Sequence, residues 1–274
     1  MYLFAIGCIL LVQTIRYSEC SPARKERLFG IDVIPAKADE FPFVVSIGQV
    51  QHKRQYGHFC TGSLITKEHV LTSAHCLINE TPRNLRVSVG IDLEESPTYP
   101  VLSWITYDQW AYKSGRRSSF KDNDIAVVTL VEPVENAEPA NISFAHYDRS
   151  KKVKAAGWGK ANERVVPRYL QSLELRIVGR EECESSMSVI TNESMELADN
   201  VICAKGSSNS VIQCGDSGGP LMDEDKSIIG VTDSFLACDT HLLHPDSTNM
   251  FMDVKFYKNF IDSVTRSARK RSKL

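Results

Sequence analysis

The stretch VIQCGDSGGPLM, Val211 to Met222, sets Ser217 between Asp216 and Gly218, with Gly215 and Gly219 one position further out and Cys214 just before them. Glycines so close together allow a tight turn between strands. They also allow neighbouring amide N–H groups to converge on one developing oxyanion beside a nucleophile. A serine hydroxyl is a poor nucleophile at neutral pH. It needs a base, usually histidine, and the histidine needs an acid to fix its tautomer. Two other segments carry such groups in unusual settings. LTSAHC places His75 beside a cysteine at the end of an apolar run, and DNDIAVVTL places Asp124 at the head of a strand so apolar that a buried carboxylate there requires a partner. Each reads singly as an ordinary core or capping residue. Together they give the order His, Asp, Ser, and the chemistry of acyl transfer.

The elements that must hold these residues are short and β-rich. FVVSIGQV, HVLTSA, LRVSVGI, IAVVTL, KVKAAGWG, LELRIV and SIIGVT are separated by Gly, Pro, Asn and charged residues. That pattern predicts antiparallel sheets in a barrel or sandwich, because parallel strands would need helical crossovers. The one convincing helical periodicity is terminal, with Phe256, Phe260, Ile261 and Val264 on one face.

A chain of 274 residues with a formal net charge of −2 has the composition of a globular protein and gives no reason to expect nucleic acid or an acidic membrane surface as partner. Residues 1–20 read as a secretory signal peptide, with an apolar core from Leu3 to Val12 and the small residues Ser18 and Cys20 at its end, although an early positive charge is missing. Export turns the cysteines into a disulfide framework. Cys8 leaves with the signal and Cys20 sits at its end, leaving Cys60, Cys76, Cys183, Cys203, Cys214 and Cys238. None of these pairs has the short C-x2-C spacing of a metal site, so neither a metal nor a cofactor is expected. Asn79, Asn141 and Asn192 head sequons for glycosylation on the secretory route. The final Ser272, Lys273 and Leu274 spell a peroxisomal address, which conflicts with the signal and the cysteines; residues 265–274 read as a solvated basic tail.

LTSAHC, DNDIAVVTL, GWG and CGDSGGPL resemble the motifs of the trypsin and chymotrypsin family of serine proteases, and the resemblance covers residues 28–264. It implies an all-β fold of two antiparallel six-stranded barrels with a C-terminal helix. It also implies His75 as general base, Asp124 as its orienting acid, Ser217 as nucleophile, and Gly215 and Ser217 as oxyanion-hole donors. The disulfides implied are Cys60–Cys76, Cys183–Cys203 and Cys214–Cys238, one among the many pairings that these cysteines allow. Residues 21–27 then form a propeptide. Cleavage after Arg27 frees the amino group of Leu28 to pair with Asp216, with Arg24 and Lys25 as alternative cleavage sites. Protein or peptide substrates, an activating protease and protein protease inhibitors are the partners implied.

The chain departs from the family's pattern in places. Leu28 replaces the usual Ile, and CGDSGG lacks the residue that normally separates Cys from Gly. Where trypsin-like members carry an Asp for basic substrates, this chain has Ile212 and Gln213. Where Ser-Trp-Gly is usual it has Asp233, Ser234 and Phe235, and Asn249 stands near a missing pocket glycine. The pocket is therefore expected to prefer small or medium apolar residues unless Asp233 turns into it. Two rivals are an α/β-hydrolase, for which His241 and His244 follow the serine but the alternating helices are lacking, and a protease-like binding module without catalysis.

Overall fold

The computed structural model describes residues 33–37, 39–118, 122–160, 166–207, 210–233 and 247–271. The N-terminal segment through Leu28, together with Ser234, Phe235, Cys238, His241, His244 and the last residues Ser272 to Leu274, lies outside these.

The chain enters with β1 (Val33–Pro35) and then builds a first barrel from β2 (Val44–Gln49), β3 (His58–Thr66), β4 (His69–Thr72), β5 (Leu85–Val89), β6 (Thr98–Thr106) and β7 (Ala126–Leu130). A single turn α1 (Arg54–Gly57) precedes β3, and α2 (Tyr107–Lys113) leads from β6 towards β7. The strands pair antiparallel and close in the order β2-β3-β4-β7-β6-β5. The second barrel comprises β8 (Lys152–Gly157), β9 (Gln171–Ile177), β10 (Val201–Lys205), β11 (Pro220–Met222), β12 (Ile228–Asp233) and β13 (Asn249–Asp253), with α3 (Arg180–Thr191) between β9 and β10. Its ring closes through the β8–β9 pairing, and β1 joins β9 as a seventh strand. Helix α4 (Lys258–Arg271) ends the described chain. The architecture is the expected pair of six-stranded barrels.

Strand β9 shows how residue pattern sets the packing. Leu173, Leu175 and Ile177 point inward, whereas Glu174 and Arg176 point to solvent, as the two-residue period of a half-buried strand requires. Leu173, Leu175, Ile202, Leu221 and Phe251 fill the second barrel. A larger core joins Leu64, Val70, Val87 and Val127 of the first barrel to Trp158, Met222 and Val231, so apolar packing is continuous across the junction.

The termini cross over. β1 precedes the first barrel in sequence yet pairs with β9 of the second. The chain's end follows the second barrel yet packs on the first, with Tyr257 and Phe260 edge-on to Tyr107 at 5.0 and 5.7 Å between ring centroids. Within the terminal segment, Val254 and Tyr257 are buried in a 3-10 turn and Phe256 is 37% exposed. Phe256 therefore does not belong to the apolar face expected of it. Helix α4 itself continues to Arg271, through most of the segment read as a tail.

Helices α2 and α3 correct the reading of the terminal helix as the only one. Thr106 and Gln109 form a reciprocal capping box that starts α2, and α3 carries the buried Cys183 and Met187 one turn apart. Cys60 is bonded to Cys76 and Cys183 to Cys203. Cys214 is disulfide-bonded too, and its expected partner Cys238 lies outside the described residues. Asn79, Asn141 and Asn192 are all exposed, the first and last at positive φ. Among the described residues no helix is long and apolar enough to cross a membrane.

Candidate active site

Strand register brings the three segments together. β4 and β7 pair with Thr72 opposite Ala126, so the residues after Thr72 and those before Ala126 leave the sheet at the same end. That end carries His75, in a single 3-10 turn, and Asp124. Across the junction, β11 and β12 pair with Pro220 opposite Val231, which sets the loop before Pro220 beside the residues after Val231. The loop brings Ser217, and β12 ends in Asp233. Three hydrogen bonds fasten this loop and strand: Thr61 N–H to Ser217 O at 2.8 Å, Gly218 N–H to Thr232 O at 2.9 Å and Ser73 Oγ–H to Thr232 O at 2.6 Å.

Asp124 holds His75 at two points. Its Oδ1 accepts the backbone N–H of His75 at 2.7 Å and its Oδ2 accepts Nδ1–H at 2.6 Å. A carboxylate on Nδ1 fixes the ring proton there and leaves Nε2 with a lone pair. Burial alone would push the pKa of His75 down, but the hydrogen bond and charge of Asp124, with the charge of Asp233, leave it raised. Nε2 lies 3.8 Å from Cys76 Sγ, and among the described residues no hydrogen bond joins it to Ser217 Oγ. Such bonds are often long until substrate is in place.

The Asp124 segment is braced by groups that the sequence did not single out. Asn200 Nδ2 donates to Asp122 O at 2.9 Å and to Tyr257 Oη at 2.7 Å, and the Tyr257 hydroxyl donates to Asn123 Oδ1 at 3.2 Å. Each is an ordinary polar residue in sequence, and only the crossing of the C-terminal segment onto the first barrel gives them one another.

The nucleophile loop turns at Gly215 (φ 102°) and Gly218 (φ 81°), conformations that L side chains rarely adopt. The Gly215 carbonyl is turned into the body, where it accepts from Thr61 Oγ1 at 2.7 Å and from His58 Nε2 at 3.1 Å. The N–H groups of Gly215 and Ser217 have no acceptor among the described residues. They are donors kept available, as an oxyanion hole requires. Ser217 itself is only 4% exposed.

His58 must be neutral to serve this loop, since its Nε2–H donates to Gly215 and its Nδ1 accepts from Ser46 Oγ at 2.7 Å. Burial drops its pKa to about 4. The folded value lies below the unfolded 6.5, so the unfolded chain takes up protons first as pH falls. This residue's contribution to stability is then intact above about 6.5 and is lost towards 4. Against a His58→Gln variant, the wild type is expected to lose about 2 kcal/mol of relative stability between pH 7.5 and pH 5, read from urea midpoints at each pH.

Asp216 is buried, with Oδ1 accepting Gly159 N–H at 2.7 Å and Oδ2 accepting Gln213 N–H at 3.0 Å. Burial pushes its pKa up to about 7, and among the described residues no cation pairs with it. Leu28 lies outside these residues.

The residues read as a specificity pocket separate. Ile212 N–H donates to Asn249 Oδ1 at 2.8 Å, and Asn249 Nδ2 donates to Ala204 O at 3.1 Å, so the buried Asn249 side chain spans from β10 to the loop at Ile212. Gln213 follows, half-buried. Asp233 is placed beside His75 and Asp124 instead, its carboxylate within 4.8 Å of the His75 ring nitrogen and the Asp124 carboxylate. Among the described residues two groupings bring cation-binding atoms together: Cys60, His75 and Cys76, whose two cysteines are joined in a disulfide, and this His75, Asp124 and Asp233 set.

A family profile described as Trypsin matches residues 31–261. Granzyme M of Rattus norvegicus is 30% identical over 192 residues, covering 66% of this chain and 69% of that protein. Transmembrane protease serine 11C of Mus musculus is 28% identical over 84% of this chain and 52% of its own length, and fibrinolytic enzyme isozyme C of Lumbricus rubellus 25% over 84% and 98%. The solved structure of Vibrio cholerae VesB protease shares the fold, with a TM-score of 0.65 and 20% identity over 86% of this chain and 67% of that one.

Proposed function

The chain belongs to the trypsin family and is a serine-type endopeptidase, and from that premise we propose that it is a secreted zymogen whose cleaved form cuts peptide bonds through an acyl-enzyme on Ser217. The observation that carries this reading is the two-point grip of Asp124 on His75 beside a loop with available N–H donors at Gly215 and Ser217. Ser217 Oγ attacks the substrate carbonyl while its proton passes to His75 Nε2. The charge on the carbonyl oxygen meets the two N–H groups, and the imidazolium returns the proton to the leaving amine as the C–N bond breaks. Water then repeats the sequence to free the acid.

Residues 1–20 act as the signal and 21–27 as the propeptide, and the remaining chain is the protease domain with its helical basic end. The buried carboxylate of Asp216, which no cation pairs among the described residues, supports activation by a new ammonium: an ion pair there relieves the burial cost that raises its pKa. Asn79, Asn141 and Asn192 are exposed and fit glycan attachment. The substrate's acyl-side residue is small or medium and apolar, because Ile212 offers no charge, the uncharged Asn249 side chain is committed to Ile212 N–H and Ala204 O, and Asp233 is engaged elsewhere.

The test is the secreted, trypsin-activated chain. Expected are labelling of Ser217 by a fluorophosphonate, an N-terminus at Leu28, and faster cutting of matched peptides after Leu or Ala than after Arg, by tenfold or more. Faster cutting after Arg would overturn the apolar pocket. No labelling and no product from a broad peptide library would leave a binding module in place of an enzyme.

A further inference from the structure

Asp233 closes β12 opposite Met250 of β13, and its carboxylate falls within 4.8 Å of ligand atoms on both Asp124 and His75. Both oxygens of Asp124 are already occupied by His75 N–H groups. The family's usual residue in this stretch is Ser, whose hydroxyl can donate to a carboxylate at any pH. A carboxyl can do so only while it holds a proton.

We infer that Asp233 is a positioning residue that shares a proton with the Asp124–His75 pair, so that the catalytic couple has a third titrating member. The inference rests on the catalytic reading of His75 and Asp124. Protonated, Asp233 donates to Asp124 and leaves the pair with one negative charge. Ionised, it sets a second negative charge beside the imidazole and holds the imidazolium more tightly, so His75 keeps its proton to higher pH. Proton uptake at one group weakens uptake at the other, and the titrations belong to the set rather than to either residue.

The surroundings agree. Burial first, and then the charge of Asp124, push the pKa of Asp233 up to about 7, with His75 opposing and Asp122 adding to the rise. Asp124, His75 and Asp122 are the ionisable groups that act on it most strongly. Met250 across the sheet and Ser73 beneath Thr232 carry no charge.

The measurement is the downfield Nδ1–H resonance of His75 followed from pH 5 to pH 9 in the activated chain, alongside kcat/KM over the same range. In the wild type the His75 titration is expected to spread over two steps, and the acid limb of kcat/KM to be correspondingly broad. In Asp233→Asn both become single steps with midpoints lower by at least about one pH unit. Asp233→Ser, which restores a neutral donor, behaves as Asp233→Asn in pH dependence and confirms that the effect follows charge rather than lost folding. Superimposable His75 titrations in wild type and both variants would overturn the inference. The resonance reports on this even if Ser217 fails to react with a fluorophosphonate, which would count against the catalytic reading instead.

Discussion

Ser217→Ala is expected to lower kcat about a million-fold while leaving KM and the folded structure nearly unchanged. The large factor follows from what the side chain does and what it does not do. In the proposed mechanism its Oγ forms the covalent bond, so without it His75 has no proton to take and no nucleophile to activate. Its backbone does the structural work separately: Ser217 O accepts from Thr61, and that bond survives replacement by alanine. The residual rate, about a thousandfold over water, comes from substrate binding and the N–H groups of Gly215 and Ser217. Steady-state kinetics on the best peptide, with unfolding midpoints as the control, checks this. A loss below about a hundredfold would mean that Ser217 is not the attacking group.

Asp124→Asn is expected to cost about ten-thousand-fold in kcat at neutral pH, again with little change in fold. Asp124 is an acceptor at both oxygens, and an amide has one acceptor and one donor. If the amide oxygen keeps the backbone N–H of His75, its NH2 faces Nδ1 and drives the ring proton to Nε2, where it blocks acceptance of the serine proton. If the amide flips, the NH2 meets a backbone N–H and the segment loses a bond. Either way the wrong tautomer or a displaced ring results. The loss should be smaller at high pH, where hydroxide can remove the misplaced proton; the ratio of kcat values at pH 7 and pH 10 measures this.

Much of this site was legible in the sequence because its chemistry constrains neighbours as well as actors. Ser217 needs glycines around it to present N–H groups, His75 stands beside a disulfide cysteine, and Asp124 is conspicuous before an apolar strand. The barrels followed from short strands without crossovers, and their closure was confirmed strand by strand. Helix α3 was obscured because its burial is sparse and its position is fixed by Cys183–Cys203 rather than by a broad apolar stripe. Asn123, Asn200 and Tyr257 carry no local signal, since each finds its partner across a long stretch of chain. Asp233 shows the same limit. Its type and position are plain in the sequence, but whether a strand-end side chain faces the pocket or the His75–Asp124 pair depends on register, which the β11–β12 pairing sets.

The crossed termini have a consequence for cooperativity. Because β1 completes the sheet of the second barrel while Tyr257 and Phe260 anchor the chain's end on the first, each half holds a piece of the other. A division at the connection between β7 and β8 does not yield two self-sufficient units: one fragment keeps a strand with no sheet to join, and the other keeps aromatic rings with no surface to cover. The halves are thus expected to melt as a single unit, with one coincident transition for probes placed in either barrel.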